Sequence, residues 1–576
     1  MKKGNIYIWM LLIIGVFSSC LKDDNNYNYT EVNELVSGGI KGIKPEYKII
    51  EGKDLTLEPT FKLTIDSINP DVSYEWYVNR KLQEGETGPT FTFKGEKGGK
   101  YSITFVLVDN KSTLRFSVST SVLVVSKYYR GWCILSDEGG RSVLNFIVPT
   151  TVQYNTTFEE EEFIRDSLVY HVVERDVVSG LGTHPKGLYN HLGNMDYYGE
   201  YHMTVFDELV VQQDRWVELN GSTLEREVYT DEEFRGDIPE DFSPVEASMG
   251  YSSKALLDKN GLIYFGKKGD VVDFHANTYI PVGLNNNMRF SRLFPTHKLN
   301  QFYTRVTLAL TEEDNSLVGI VNEGEASHNS TTITDISASH SGEVLEVNDY
   351  YNNENKFKSI KQTIIDGVSS PYEAGMDITR AEPYWALLLK NENTSDYSLR
   401  YFKLDYVNGR IVCPTFNPNY DSSPAYYEAS LGNITDYRGM VSFNQRRSLV
   451  IADGNQLYYY QYGWNPRNAA PYQGKLMKLG NPLPSNIKKI SGFDIVLDLT
   501  ESKYPYDAQL AVALDNGDFY IFGVRETKGM NEVTTAVDLT QVYPNDQTSE
   551  ANKNFGNVVD VVYKYGRAYE LIDFTF

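Results

Sequence analysis

The feature that most limits what this chain can fold into is a hairpin pattern recurring across its last 450 or so residues. Each copy is an aliphatic strand, a tight polar turn and an aromatic strand. Three copies are close: Ala255 to Gly266 turning at Asp258-Lys259-Asn260-Gly261, Leu449 to Tyr460 turning at Asp453-Gly454, and Ala511 to Gly523 turning at Asp515-Asn516-Gly517. Asp-Gly and Asn-Gly suit the positive φ of hairpin turns, and the flanking Tyr, Phe and Ile suit strands. Weaker copies turn near Glu138, Gln213, Glu313, Asn393 and Tyr565. The eight turns span residues 138 to 565, a mean spacing of about 61, against about 40–50 residues for a four-stranded propeller blade with shorter loops. A β-sandwich completes its core near about 100 residues and does not recur evenly over four times that length. The expectation is an all-β chain in which residues 127–576 form a β-propeller-like domain. It has eight blades, or seven if the last strands near Val558–Phe576 close onto the first blade.

Upstream, residues 40–126 read as short alternating strands, among them Asp54 to Glu58, Ser73 to Val78 and Tyr101 to Val108, with turn formers at Asn69-Pro70, Gly85, Gly98-Gly99 and Asp109-Asn110. That pattern predicts an antiparallel Ig-like β-sandwich with Trp76 in its core.

The N-terminus reads as an address. Lys2 and Lys3 precede twelve apolar residues, Ile6 to Phe17, too few to span a bilayer and the right length for a secretory signal. Ser18-Ser19-Cys20 resembles a lipobox, with Phe17 where Leu is usual, so residues 1–19 are expected to be removed and Cys20 acylated. Residues 20–39 then form a lipidated tether. Lys22, Asp23 and Asp24 resemble the export signal that carries some Gram-negative lipoproteins to the outer face of the outer membrane. The chain has 77 acidic and 54 basic residues, net −23, which argues against nucleic acid and against electrostatic adhesion to an anionic membrane. Three cysteines (Cys20, Cys133, Cys413) provide no disulfide framework.

Several elements together resemble the PKD-like family of surface lipoproteins: Tyr74-Glu75-Trp76, Gly99-Lys100-Tyr101 before Val106-Leu107-Val108-Asp109, the upstream Asn25-Tyr27-Tyr29-Glu31-Asn33, and Gly131-Trp132-Cys133-Ile134-Leu135-Ser136. The sandwich lacks the Asp-Phe-Gly-Asp-Gly signature of true PKD repeats. The resemblance implies a non-catalytic accessory subunit of a Sus-type uptake complex. Its partners would be an outer-membrane transporter with its lipoprotein lid, and its ligand an oligosaccharide or oligopeptide.

Motifs that carry chemistry are sparse. No metalloprotease His-Glu-x-x-His, nucleophile elbow or phosphate-cradling loop occurs. His171, His184, His191 and His202 are spaced too widely for a zinc pair and read as loop or core residues. Glu159–Glu162 reads as a solvated acidic turn opening a short helix at Thr157–Ile164. Thr230-Asp231-Glu232-Glu233 has the form of a capping box, and Asn355–Ile365 is a third short helix. No metal site or cofactor is expected. Aromatics in polar loops are the expected binding groups: Tyr197, Tyr198 and Tyr201 after Gly193-Asn194-Met195-Asp196, Tyr426 and Tyr427 after Ser422-Ser423-Pro424, and Trp464 after Gly463. Flat rings there would stack sugar faces or grip a peptide. The competing classes are a surface glycosidase or lyase on a propeller, and an adhesive protein binding host matrix.

Overall fold

The computed structural model describes residues 32–564 apart from short interior stretches, the longest being 268–274, 297–305, 323–339, 350–355, 372–382, 414–425 and 494–507. Cys20, Lys22, Asp23, Asp24 and Tyr201 lie outside the described residues. The chain divides into two units, Met1–Val125 and Ser126–Phe576.

The first unit is a two-sheet sandwich. One sheet holds Glu46–Ile50, Arg115–Val125, Gly99–Asp109, Val72–Val78 and Lys81–Leu82 in that spatial order, and the other pairs Asp54–Leu57 with Phe91–Lys94. Its first strand runs parallel to its last, Glu46 opposite Ser121. Strand alternation puts Leu57, Trp76, Phe91, Phe105 and Leu107 inside. Trp76 is fully buried between Phe91 and Phe105, with ring centroids 5.1 and 4.8 Å away, and its Nε1–H donates to the Gly88 carbonyl at 3.1 Å. Pairing starts upstream of residue 40, where Leu35 bridges Leu63.

The second unit is a closed ring of seven sheets. Their innermost strands are, for blades 1 to 7, Asn557–Lys564, Gly187–Tyr198, Pro244–Met249, Phe290–Leu293, Thr363–Pro371, Tyr437–Phe443 and Ile487–Phe493. Five blades are four-stranded, and blade 3 has three strands among the described residues. Blade 4 is widened by a ribbon from the next blade, Asp405–Val407 with Arg410–Cys413, which lies parallel to Val344–Asp349. Of the two blade counts open to the sequence, seven is the one found. The C-terminal strand is not the start of an eighth blade but the inner strand of the first, pairing antiparallel with Gly131–Glu138 from Asn557 opposite Asp137 to Lys564 opposite Gly131.

Seven apolar clusters fill the seams between neighbouring blades and complete the circle. Blades 7 and 1 meet through Phe493, Phe519 and Ile521 on one side and Trp132, Ile134 and Tyr563 on the other, with the Phe493 and Tyr563 rings stacked at 3.6 Å. The strands that follow the inner one carry the aliphatic runs because both their faces are covered: Ala508–Leu514 and Ser253–Asp258 are buried at every position. Seven of the eight sequence-read turns are the hairpin between the second and third strands of successive blades. The eighth, near Tyr565, lies outside the described residues.

Two expected helices are not found. Thr157 and Phe158 end the strand Arg141–Phe158 and Glu161–Ile164 open Glu161–Glu174, with Glu161 paired to Phe158; Glu159 and Glu160 lie outside the described residues. Lys356–Ile360 forms turns instead of helix because its backbone is engaged elsewhere: the Phe357 carbonyl accepts from Leu317 N–H, and Ile360 N–H donates to the Asn315 carbonyl. Thr230–Glu233 is a single 3₁₀ turn, with Glu232 Oε2 accepting from Tyr229 N–H at 3.3 Å.

Removing the C-terminal strand should open the ring. A chain ending at Gly556 loses the burial of Val558, Val561 and Tyr563, on the order of 5 kcal/mol at about 1.5–3 kcal/mol per side chain, and exposes the edge of Gly131–Glu138. Calorimetry with light scattering should show the propeller transition lowered or lost, together with aggregation. A transition at the full-length temperature would contradict ring closure as a stability determinant.

Candidate functional site

Antiparallel blades sort their connections onto two faces. Hairpins joining second to third strands, and the links to the next blade, lie on one; the first-to-second and third-to-fourth connections lie on the other. The first face holds tight turns such as Asp453–Gln456 together with inter-blade links such as residues 175–186 and 544–556. All the described candidate aromatics fall on the second. Tyr197 and Tyr198 end the inner strand of blade 2, Tyr426 and Tyr427 open the outer strand of blade 5 (Tyr426–Asn433), and Trp464 follows the third strand of blade 6 (Gln456–Gln461).

Three blades contribute them, and the described ones stand in strands rather than loops. Tyr197 and Tyr198 pair in a ladder with Met203 and His202 past a bulge at Leu192/Met195, and Trp464 pairs with Pro471 in a two-residue strand. Tyr427 is buried in the seam of blades 5 and 6, its ring 5.3 Å from Tyr401, so blade packing and not ligand contact occupies it.

The inner strands enclose an axial cavity of about 230 Å³ lined from six of the seven blades. Asn190, Thr296, Ser369, Ser442 and Ser491 bring amide and hydroxyl groups to it, each from a different blade, and no charged residue lines it. Polar groups also stitch the inner strands together. Asn190 Nδ2 donates to the Tyr563 carbonyl at 2.8 Å, Met249 N–H to Tyr189 Oη at 3.0 Å, and Tyr189 Oη to the Thr296 carbonyl at 2.8 Å; Ser248 Oγ and Thr296 Oγ1 are 3.1 Å apart. Where no such stitch is made the strands approach closely instead. A Cβ on Gly367 would sit 2.6 Å from Phe294, and one on Gly492 2.3 Å from Val441. A few residues nearer the tight-turn face stands a charged ring: Asp560 with Lys489 at 3.0 Å, Glu246 with Arg292 at 2.8 Å, and Asp366 accepting from Tyr437 Oη at 2.5 Å. Asp560 keeps the Lys489 ammonium above its ordinary range against the opposing effect of burial.

The densest ionisable cluster is in the seam between blades 2 and 3. Lys254, in the strand Ser253–Asp258, is fully buried and its Nζ reaches both oxygens of Glu218 at 2.8 Å and Glu233 Oε1 at 2.7 Å. His191 Nε2 lies 3.0 Å from Glu218 Oε2. His275 places Nδ1 3.0 Å from Glu233 and Nε2 2.9 Å from Glu227, so both ring nitrogens face carboxylates, the arrangement of an imidazolium. Burial opposes ionisation of Glu218, but Lys254, His191 and His275 outweigh it and hold its carboxyl well below the usual range. Burial and the charge of Glu218 push Glu233 the other way, consistent with its single-oxygen contact to Lys254. Burial also opposes the charge on His275, yet Glu227 and Glu233 raise it above its ordinary value.

Glu218, Glu233 and His275 bring ligand atoms within 4.8 Å of one another, as do Glu208, Glu227 and His275. That is metal-ligating chemistry, but the Lys254 ammonium already stands between Glu218 and Glu233, and a metal on His275 would require loss of a proton it shares with a carboxylate. The arrangement is an ionic lock between two blades.

Sequence reasoning passed over this lock, although one sign of it was present. Lys254 stands four residues before the turn residue Asp258, where the sister copies have Leu449 and Ala511 before Asp453 and Asp515. Among the histidines considered, His191 joins the lock, whereas His184 is exposed against Asp214 at 2.5 Å. Cys133 and Cys413 are both buried. Asp515–Asp518 is a hairpin turn, with Leu514 N–H donating to the Asp518 carbonyl.

Comparison with known proteins locates one family. The model of the PKD-like family matches residues 20–179, the sandwich and the first three sequential strands of the ring. No curated protein matches the sequence. Solved structures similar to the chain include a quinonprotein alcohol dehydrogenase-like protein from Bacteroides thetaiotaomicron (13% identity, 88% of this chain and 97% of that one, TM-score 0.31). Others are Prp20p from Saccharomyces cerevisiae (11%, 64% and 88%, 0.34) and the WD40 domain of SCAP from fission yeast (7%, 72% and 90%, 0.30). Likeness at this level transfers no activity, and the ring assignment rests on the strand pairing described above.

Two measurements check the lock. Lys254→Met leaves Glu218 and Glu233 buried without their cation and should cost about 3–5 kcal/mol in urea unfolding; a change within error of zero would refute the assignment. His275 has a raised folded-state pKa, so its contribution is complete below its unfolded value of about 6.5 and is lost as pH rises through the folded value. Stability measured across neutral to mildly alkaline pH should therefore fall more steeply for the native chain than for His275→Gln, and parallel curves would contradict it.

Proposed function

We propose that this chain is a lipid-anchored protein of the outer membrane, facing the cell exterior, and a non-catalytic accessory subunit of a Sus-type importer. It binds or scaffolds an oligosaccharide or oligopeptide beside the transporter and its lipoprotein lid. The observation that carries this reading is where the PKD-like family match begins: at residue 20, the cysteine after the signal-like segment, from which it runs through the sandwich into the first blade. In this chain that stretch leads directly into a seven-bladed ring, a rigid platform whose connections can present contacts. A binding role is also supported by the fate of the converging carboxylates. Glu218 and Glu233 are clamped on Lys254 inside a sealed seam and are not presented to substrate.

The test uses the tagged full-length chain in its native membranes. Labelled palmitate should enter the wild-type protein and not Cys20→Ala, and affinity recovery should bring down transporter components with the former. Acylated protein recovered without any transporter component would sink the uptake role.

A further inference from the structure

We infer that the axial cavity is a binding site for a single neutral sugar ring, either a free hexose or the end residue of a glycan. The choice of a sugar rests on the uptake role proposed above; the site rests on the cavity. Its volume of about 230 Å³ is below the roughly 300 Å³ at which drug-sized sites begin, so it admits one ring and not a chain.

Its chemistry is two-sided. Asn190, Thr296, Ser369, Ser442 and Ser491 line it with polar side chains, of which Asn190 Nδ2, Thr296 Oγ1 and Ser442 Oγ also bond the Tyr563 carbonyl, Ser248 Oγ and Tyr462 Oη, and Leu188, Val368, Val441, Ile490 and Val562 line it with aliphatic ones. A pyranose needs that combination, with partners for its equatorial hydroxyls and apolar contact for its C–H face. Solvent reaches the cavity, because Val368, Ser442, Ser491 and Val562 are only half-buried. Ser491 in particular opens onto it with no side-chain hydrogen bond among the described residues.

Charge decides against other small ligands. The ionic groups nearest the cavity are already engaged within the protein, Asp560 by Lys489 and the Leu188 N–H, Glu246 by Arg292 and the Leu293 N–H, and Asp366 by the Tyr437 hydroxyl. A uronic acid or a peptide carboxylate would have to break one of the ion pairs to find a counter-charge, and in a low-dielectric channel that costs more than it returns.

Titration calorimetry and ligand-observed NMR on the full mature chain test the assignment. The probes are glucose, galactose, mannose, a neutral oligosaccharide ending in each, glucuronate and a tetrapeptide. At least one neutral sugar should bind, with glucuronate and the tetrapeptide failing to displace it. Binding by the free hexose alone, or by the glycan ends as well, identifies which source the site takes. Ser491→Ala, which removes only the hydroxyl, should weaken binding about tenfold at an unchanged melting temperature, and Ser491→Phe should abolish it. If the Phe variant misfolds, the Ala variant decides. Failure of every neutral sugar to bind at millimolar concentration, or binding undiminished in Ser491→Ala, overturns the inference. Transporter recovery without sugar binding overturns only this site; sugar binding without transporter recovery overturns only the uptake role.

Discussion

The propeller depends on one pairing. A β-blade exposes two edges and two faces, and none of the seven is a stable object in water alone. The faces are solved locally, each by its neighbour, through the seven apolar seams. Circularity cannot be solved locally, because a row of blades still leaves a first and a last. The antiparallel ladder between Asn557–Lys564 and Gly131–Glu138 removes both ends at once by building blade 1 from the two extremities of the unit. The stacked Phe493 and Tyr563 rings and the buried Trp132 then make that junction as apolar as any other seam.

One seam is built differently. Between blades 2 and 3, Lys254, Glu218, Glu233 and His191 are buried where the sister seams hold aliphatic side chains. Buried ion pairs seldom add stability over a well-packed apolar equivalent, since the desolvation they suffer offsets the attraction they gain. What the lock adds is directionality: Lys254 reaches Glu218 and Glu233 at once, tying named positions of the two blades to each other. Polar stitches around the axis act in the same way on the inner strands, with close-packed Gly367 and Gly492 where stitches are absent.

The sequence was most legible where local chemistry repeats. Each Asp-Gly or Asn-Gly turn between an aliphatic and an aromatic strand marks one blade, and the spacing narrowed the ring to seven or eight. Only the long-range pairing of the last strand distinguishes the two, and no local pattern carries it. The helical readings at Thr157–Ile164 and Asn355–Ile365 failed because local propensity was outweighed by backbone partners: Thr157 and Phe158 pair with Glu162 and Glu161 across a hairpin, and Phe357 and Ile360 are bonded to Leu317 and Asn315. The aromatic candidates illustrate a third limit. Tyr427 follows a polar, Pro-containing segment and reads as loop, yet it opens a strand and fills a seam. The lock and the axial cavity draw their groups from several blades each, so their members are scattered along the chain and acquire meaning only once the ring is closed.

The closing ladder joins residues more than four hundred positions apart. Contacts of such sequence separation form late, because the entropy of the intervening chain must be spent before they return anything. Blades 2 to 7 can assemble through contacts between neighbours, but Gly131–Glu138 keeps one edge bare until Asn557–Lys564 docks on it. Until then the ring is nearly complete and still adhesive at that edge, and whatever shields the waiting strand sets how much of the protein reaches its finished form.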